Sequence, residues 1–350
     1  MRTLDGGTMS EHVKRATISD VAQHAGVSKA AVSKVLRGAY GVSGTMKARV
    51  EASMATLGYR PSALARGMRG SSFTLGVFVV DLHNTFMSVL IEGIRTEAEL
   101  NGYQVFIGEA SRGLAQQRQM IEAMVDRKMD GIVLIAPFGT ADDLEEIARG
   151  TPTVVLGRHG PSHSYDTVAS DDIAGSALIV DHLVSLGHRR IAHLMQVGRE
   201  KNESGMPQVV RAKGYVDAMV RNGLEQEIDV LEGRWSQEGG RSAAGLMVQR
   251  KNPPTAVHAG ADMAALGVLA GFHEAGVRVP EDFSVVGYDN VFAASLPQVG
   301  LTSVDQSGIE MGALAAKLLV ERIQGRQEAV STVVAPRLVV RRTTAPPPGV

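Results

Sequence analysis

Cysteine is absent from all 350 residues, which excludes a disulfide framework and any thiolate metal site. Aromatic residues are few, and Trp235 is the single tryptophan. No run of about 18 uncharged apolar residues occurs, so a membrane-spanning helix is not expected. The first sixteen residues lack an apolar h-region, so a secretory leader is not expected either, and the cytoplasm is the expected location. No G-x-G-x-x-G follows a strand-like segment, and neither G-x-x-x-x-G-K-[ST] nor G-x-S-x-G is found. The doubly wound enzymes that depend on those loops are therefore not expected, and no cofactor is implied. His159 and His163 have the spacing of a metal pair. Their loop is rich in Gly and Pro and supplies no further ligand, so no metal is expected.

Charge is present but segregated. Residues 11–70 hold ten Lys and Arg against three acids, a balance of +7, while the last 280 residues carry 25 bases against 33 acids. A basic head on an acidic body suits a polyanionic partner, because each neutralised phosphate releases counterions.

The basic head contains TISDVAQHAGVSKAAVSKVLR at residues 17–37. Thr17 stands where a helix N-cap is wanted, and Ile18, Val21, Ala22 and Ala25 recur on one helical face. Gly26 follows where a left-handed C-terminal cap is wanted. Ser28 can cap a second helix whose Val32, Val35 and Leu36 point inward. Lys29, Ala30, Ser33 and Lys34 are left facing outward, as in a helix-turn-helix that enters the major groove. Ser43 can cap a third helix running to about Leu57, with Gly58 after it. Tyr59, Arg60 and Pro61 then lead into Ser62–Arg69, one or two helical turns that are marginal alone in water.

From Thr74 the pattern becomes alternating strands and helices. Segments 75–81, 103–107, 131–135 and 153–157 read as buried parallel strands with helices at 86–101, 114–127 and 141–149. The alternation restarts with 189–195, 229–233, 255–259 and 283–289, with helices near 211–222, 236–250 and 262–276. The expected fold is α/β: an all-α helix-turn-helix head followed by two doubly wound subdomains. Ligands in such sheets bind beyond the carboxyl ends of the strands, so two facing layers make a cleft.

Those motifs together resemble the LacI/GalR (lactose-repressor) family of bacterial transcription regulators, over essentially residues 16–343. The resemblance implies a periplasmic-binding-protein-like core crossed three times, near 187, 306 and 335. It implies a head at 16–61 and a hinge helix with linker at 62–72, while the polar, Gly-containing composition of 1–15 reads as a disordered extension. It further implies core subdomains at 73–187 with 307–334 and at 188–305 with 335–343, and a flexible tail at 344–350. In such proteins paired hinge helices wedge an apolar side chain into the minor groove. Met68 holds that position here in place of the usual Leu, flanked by Arg66 and Arg69. Thr17, Ser28 and Tyr59 complete the expected DNA contacts, and the operator is expected to be a pseudo-palindrome bound by a homodimer.

Asn84 and Phe86 hold in the family's Asn-Pro-Phe-Phe segment, while Thr85 and Met87 depart from it. Arg211 matches the arginine that meets effector in relatives, and Trp235 matches their stacking aromatic. Asp289 ends an otherwise apolar strand, where a buried unpaired acid would be costly, so it is expected to bond ligand hydroxyls or Arg211. Gln306 lies at a crossing, and Arg158 ends the 153–157 strand; both join the effector set. Gly260-Ala261-Asp262 stands where relatives often carry Ala-Asn-Asp, so the effector-touching amide is missing and Asp262 is expected to cap the next helix. The expected function is a sequence-specific regulator controlled by a sugar or sugar derivative, with a nucleoside, a purine or a phosphorylated metabolite as the alternative. A sugar receptor would share the body but has no use for the basic head.

Overall fold

The computed structural model describes residues 16–36, 39–59, 71–110, 113–197 and 205–349. It divides into two units, residues 1–72 and 73–350. Arg66, Met68 and Arg69 lie outside the described residues.

The first unit holds α1 (Ile18–His24), α2 (Lys29–Leu36) and α3 (Gly44–Thr56). Thr17 starts α1 through a reciprocal capping box: its Oγ1 accepts from the Asp20 amide at 3.4 Å, and Asp20 Oδ2 accepts from the Thr17 amide at 2.7 Å. Such a cap contributes about 1 kcal/mol. Gly26 turns the chain at φ +60°, a conformation that costs a β-carbon-bearing residue. Ser28 Oγ then accepts from the Ala31 amide at 3.1 Å and opens α2. One fully buried valine from each helix, Val21, Val32 and Val50, forms the centre of a small core.

The second unit contains two six-stranded sheets. The first is built from β1 (Thr74–Val79), β2 (Gln104–Glu109), β3 (Gly131–Ile135), β4 (Thr153–Leu156), β5 (Asp166–Ser170) and β11 (Ser331–Val334) in the order β11-β5-β4-β3-β1-β2. The second comprises β6 (Ile191–Gln196), β7 (Asp229–Gly233), β8 (Ala256–His258), β9 (Ser284–Tyr288), β10 (Thr302–Asp305) and β12 (Arg337–Val339) in the order β12-β10-β9-β8-β6-β7. Pairing is parallel throughout except between β10 and β12. β3, β4, β5 and β9 are buried at every position, as strands covered by helices on both faces must be.

Helices α4 (Thr85–Leu100), α5 (Leu114–Asp126) and α6 (Ala141–Gly150) follow strands of the first sheet. Next comes α7 (Asp172–Ser185), which follows β5 yet packs against β8, β10 and β12 of the second sheet. The chain therefore leaves the first sheet after Ser170, and the expected crossing near 187 is corrected to that point. Helices α8 (Pro207–Arg221), α9 (Gln237–Val248), α10 (Asp262–Glu274) and the short α11 (Phe292–Ser295) belong to the second half. After β10 the chain returns through α12 (Gly308–Ile323), which packs along α4. Buried Asp166 ties α12 to the first sheet by ion pairs with Arg322 at 3.0 Å and Arg326 at 2.6 Å. No helix among the described residues is long and apolar enough to cross a membrane.

Candidate functional site

Two sites emerge, one in each unit. In the head, Lys29, Ala30 and Lys34 are exposed on α2, and Ser33 is half-buried. Val32 and Val35 on the same helix are buried, so packing fixes which face the cations occupy. Thr17 and Ser28 are exposed cap residues whose oxygens serve helix starts. Tyr59 is half-buried and packs against the head core, so its ring anchors the third helix rather than standing free. Tyr40, which sequence reasoning passed over, is fully exposed in the turn before α3. No periodicity marks it, because it belongs to no helix.

In the body, strand ends of the two sheets enclose a cavity of about 340 Å³. Asn84, Phe86, Arg211, Trp235, Asp289 and Gln306 all line it. Asn84 caps α4, its Oδ1 accepting from the Phe86 amide at 3.0 Å, and this sets the buried Phe86 ring at the helix start. Arg158 is a correction: it does not appear in the lining. Its guanidinium donates to the carbonyls of Pro137 (3.2 Å) and Gly139 (2.6 Å), so it holds the loop whose Phe138 and Gly139 do line the cavity.

Arg211 is the centre of the polar wall and is 5% exposed. Its Nε donates to Asp172 Oδ1 at 2.7 Å, one Nη to the Gly260 carbonyl at 2.8 Å and the other to Gln306 Oε1 at 3.1 Å. The guanidinium lies 3.8 Å from the Tyr288 ring centroid and 4.9 Å from that of Trp235. Gln306 in turn donates to Asp289 Oδ1 at 2.7 Å. The Trp235 indole N–H is spent on the Leu194 carbonyl at 3.0 Å, which fixes the ring and leaves its face as what it can offer.

The two acids beside Arg211 are driven apart. Burial works against the charge of Asp172, but the Arg211 guanidinium and then His159, 2.7 Å away, hold its carboxyl below the usual range. Burial pushes Asp289 far above that range; Arg211 opposes the shift and the charge of Asp262 adds to it. Asp289 thus favours its protonated form, and its Oδ2 is buried with no hydrogen-bond partner among the described residues. Backbone strain accompanies it: Asp289 has φ 121° and Asn290 φ 52°, a conformation that costs of order 1–3 kcal/mol and gathers at ligand sites.

Asp262 is a second correction. It is the first residue of α10 and makes no cap; Ala261 occupies the cap position without a side-chain bond. Its carboxylate instead accepts from the Ser303 hydroxyl at 2.6 Å and the Val291 amide at 2.8 Å. It therefore pins the strained turn that carries Asp289, and burial pushes it up to about 7. Sequence reasoning also missed Asp172, Ser170 and His159. The first two follow or end β5, whose DTVAS sequence is polar at three of its five positions and carries no strand signal. His159, singled out for its spacing from His163, instead hydrogen-bonds Asp172.

Comparison with known proteins gives matches over both units. Residues 17–62 match the model for bacterial regulatory proteins of the lacI family, and residues 180–344 match a periplasmic binding protein-like domain. The HTH-type transcriptional repressor CytR of Escherichia coli K12 is 32% identical over 336 residues, covering 94% of this chain and 96% of that protein. Catabolite control protein A of Priestia megaterium is 30% identical, covering 94% of this chain and 99% of its own length. Among solved structures, the lac repressor dimer bound to operator and the anti-inducer ONPF superposes with a TM-score of 0.80 at 27% identity, over 95% of this chain and 100% of that one. The transcriptional regulator CelR in its cellobiose complex gives 0.69 at 28% identity, over 94% of this chain and 100% of that one.

Proposed function

The chain belongs to the lacI family of bacterial regulatory proteins, and from that premise we propose that α2 reads the operator while the cavity around Arg211 sets the grip. The protein is a DNA-binding transcriptional repressor of this family, with operator DNA, a small effector and a second copy of itself as partners. Its curated relatives are regulators rather than enzymes, and we take this chain to have no catalytic role. Its working place is the cytoplasm, where operators are.

The observation that carries the DNA reading is the outward face of α2. Lys29 and Lys34 donate to guanine edges or phosphates, and Ala30 makes apolar contact with a base. Thr17 and Ser28 fix register on the backbone, and Tyr40 adds a phenol within the same head. Two heads meet half-sites about 10 bp apart. The segment around Arg66, Met68 and Arg69 serves as the hinge that answers the cavity. The division we adopt is a head at 16–61, a hinge at 62–72, and two lobes exchanged after Ser170 and near 306 and 335.

Nuclease protection of genomic fragments by the purified protein tests this reading and should reveal a short palindrome. Lys34→Ala is expected to weaken binding to it and to lower the slope of log K against log salt by about one. A variant that binds like its parent, with an unchanged slope, removes α2 from the interface.

A further inference from the structure

The cavity walls divide by chemistry, and the division selects the effector. From the first lobe come Phe86, Met87, Leu114, Phe138, Leu156 and Met311, an apolar wall. The polar groups beside them already serve the protein's own backbone and side chains. Asn84 caps α4. Thr140 and Asp143 close a reciprocal capping box, with Arg118 on Asp143. Asp81 accepts from the His83 amide at 2.8 Å. The polar end comes from Asp172, Arg211, Asp289 and Gln306.

Charge is equally lopsided. The described lining residues include one cation, Arg211, and four acids, Asp81, Asp143, Asp172 and Asp289. Arg211 already donates to Asp172, the Gly260 carbonyl and Gln306, and its guanidinium lies over the rings of Trp235 and Tyr288. A phosphate or carboxylate entering here would meet the charged Asp172 and a guanidinium already paired with it. A bare sugar would set hydroxyls against the apolar wall, where an unmet hydrogen bond costs free energy.

Two buried polar atoms of the lining have no partner among the described residues: Ser170 Oγ and Asp289 Oδ2. Ser170 ends β5 of the first sheet and Asp289 follows β9 of the second. Those residues are 1% and 5% exposed. They stand on opposite sides of the lobe boundary and line one cavity.

Resting on the reading of this cavity as the effector site, we infer that the effector is an uncharged molecule in two parts. One part is a hydroxyl-bearing ring that bonds Ser170 and Asp289 across the two lobes; the other is a flat apolar ring that lies on the Phe86–Phe138–Met311 wall. Nucleosides and aryl glycosides share that chemistry; free sugars and phosphorylated metabolites do not. Asp289, held protonated, donates to an acceptor on the hydroxyl-bearing ring. The bridge gives the ligand a differential interaction with the closed arrangement of lobes, as a shift of conformation requires.

Trp235 lines the cavity and is the single tryptophan, so intrinsic fluorescence of the full-length protein reads occupancy directly. Matched probes are titrated: ribose, uridine, adenosine and their 5′-monophosphates, and glucose, phenyl glucoside and glucose 6-phosphate. A ring-bearing neutral compound is expected to bind at least tenfold tighter than its parent sugar and than its phosphorylated counterpart, about 1.4 kcal/mol. The nucleoside and glycoside arms decide between the two sources. Ser170→Ala is expected to weaken that compound severalfold while leaving the unfolding temperature of the unliganded protein in place. A free sugar or a phosphate as the tightest binder, or silence from every ring-bearing compound at millimolar concentration, overturns the inference. Operator binding is measured separately, so a ring-bearing ligand that binds without touching DNA affinity would sink the regulatory reading and leave the ligand class standing.

Discussion

At the scale of single residues, the body carries buried ionisable groups of opposite sense, and pH separates them. Asp262 keeps its proton up to about pH 7 in the folded chain, whereas an unfolded aspartate titrates near 4. Folding binds that proton between the two values, so its contribution to stability is lost as pH rises from about 4 to about 7. Fully buried His193 runs the other way. Burial, then the charge of Arg211, lowers it to about 3, so its contribution is present above about 6.5 and lost as pH falls towards 3. Relative to the parent, Asp262→Asn should gain stability as pH rises through 4–7. His193→Phe should gain it as pH falls below 6.5. Each slope is bounded by about 1.4 kcal/mol per pH unit. Urea unfolding at stepped pH reads both, and parallel curves for parent and variants would refute the assignment. The residue types in the sequence did point to Arg211, Trp235, Asp289 and Gln306, which the structure gathers around one cavity. Arg158 and Asp262 show what one-dimensional reading lacks: both follow the expected strands, but only the fold tells which way a side chain turns.

At the scale of elements, two glycines let α4 and α12 approach closely. A Cβ on Gly93 of α4 would collide with the Ile309 carbonyl and stand 2.9 Å from the Ala313 amide nitrogen; one on Gly312 of α12 would collide with the Leu90 carbonyl. Gly93→Ala should therefore destabilise by about 1–3 kcal/mol, the cost of overpacking. Gly245→Ala is the contrasting case, since its Cβ would meet nothing within 4 Å in α9, and removing a helical glycine should stabilise by roughly 0.5–1 kcal/mol. Chemical denaturation midpoints check the pair; a neutral Gly93→Ala would mean the two helices can separate freely. Buried runs such as 131–135 and 153–156 were legible because a strand between helices needs continuous apolar sequence. The helices α7 and α12 were not. Apolar residues cover much of α7's circumference and blur its period. Ser307-Gly308-Ile309-Glu310 has the form of a capping box, but Ser307 sits at φ 57° and makes no capping bond.

At the scale of the whole molecule, a +7 head and an acidic body share one chain, and regulation requires that occupancy of the cavity in one unit alter DNA affinity in the other. Couplings of this kind are typically about 1–3 kcal/mol, or 5- to 150-fold in affinity. The family was legible at this scale because several independent motifs agreed. The sign of the response was not, because it depends on which arrangement of lobes the ligand favours. The most direct measurement is the operator Kd of the full-length protein, taken by fluorescence anisotropy on the protected palindrome at fixed salt, with the cavity empty and then saturated by the ligand that Trp235 reports. A shift of about 5-fold or more in either direction is expected, together with its loss in Asp289→Ala, which should fold and bind operator unliganded. An operator Kd that does not move while Trp235 reports a full cavity would mean that the two units act independently.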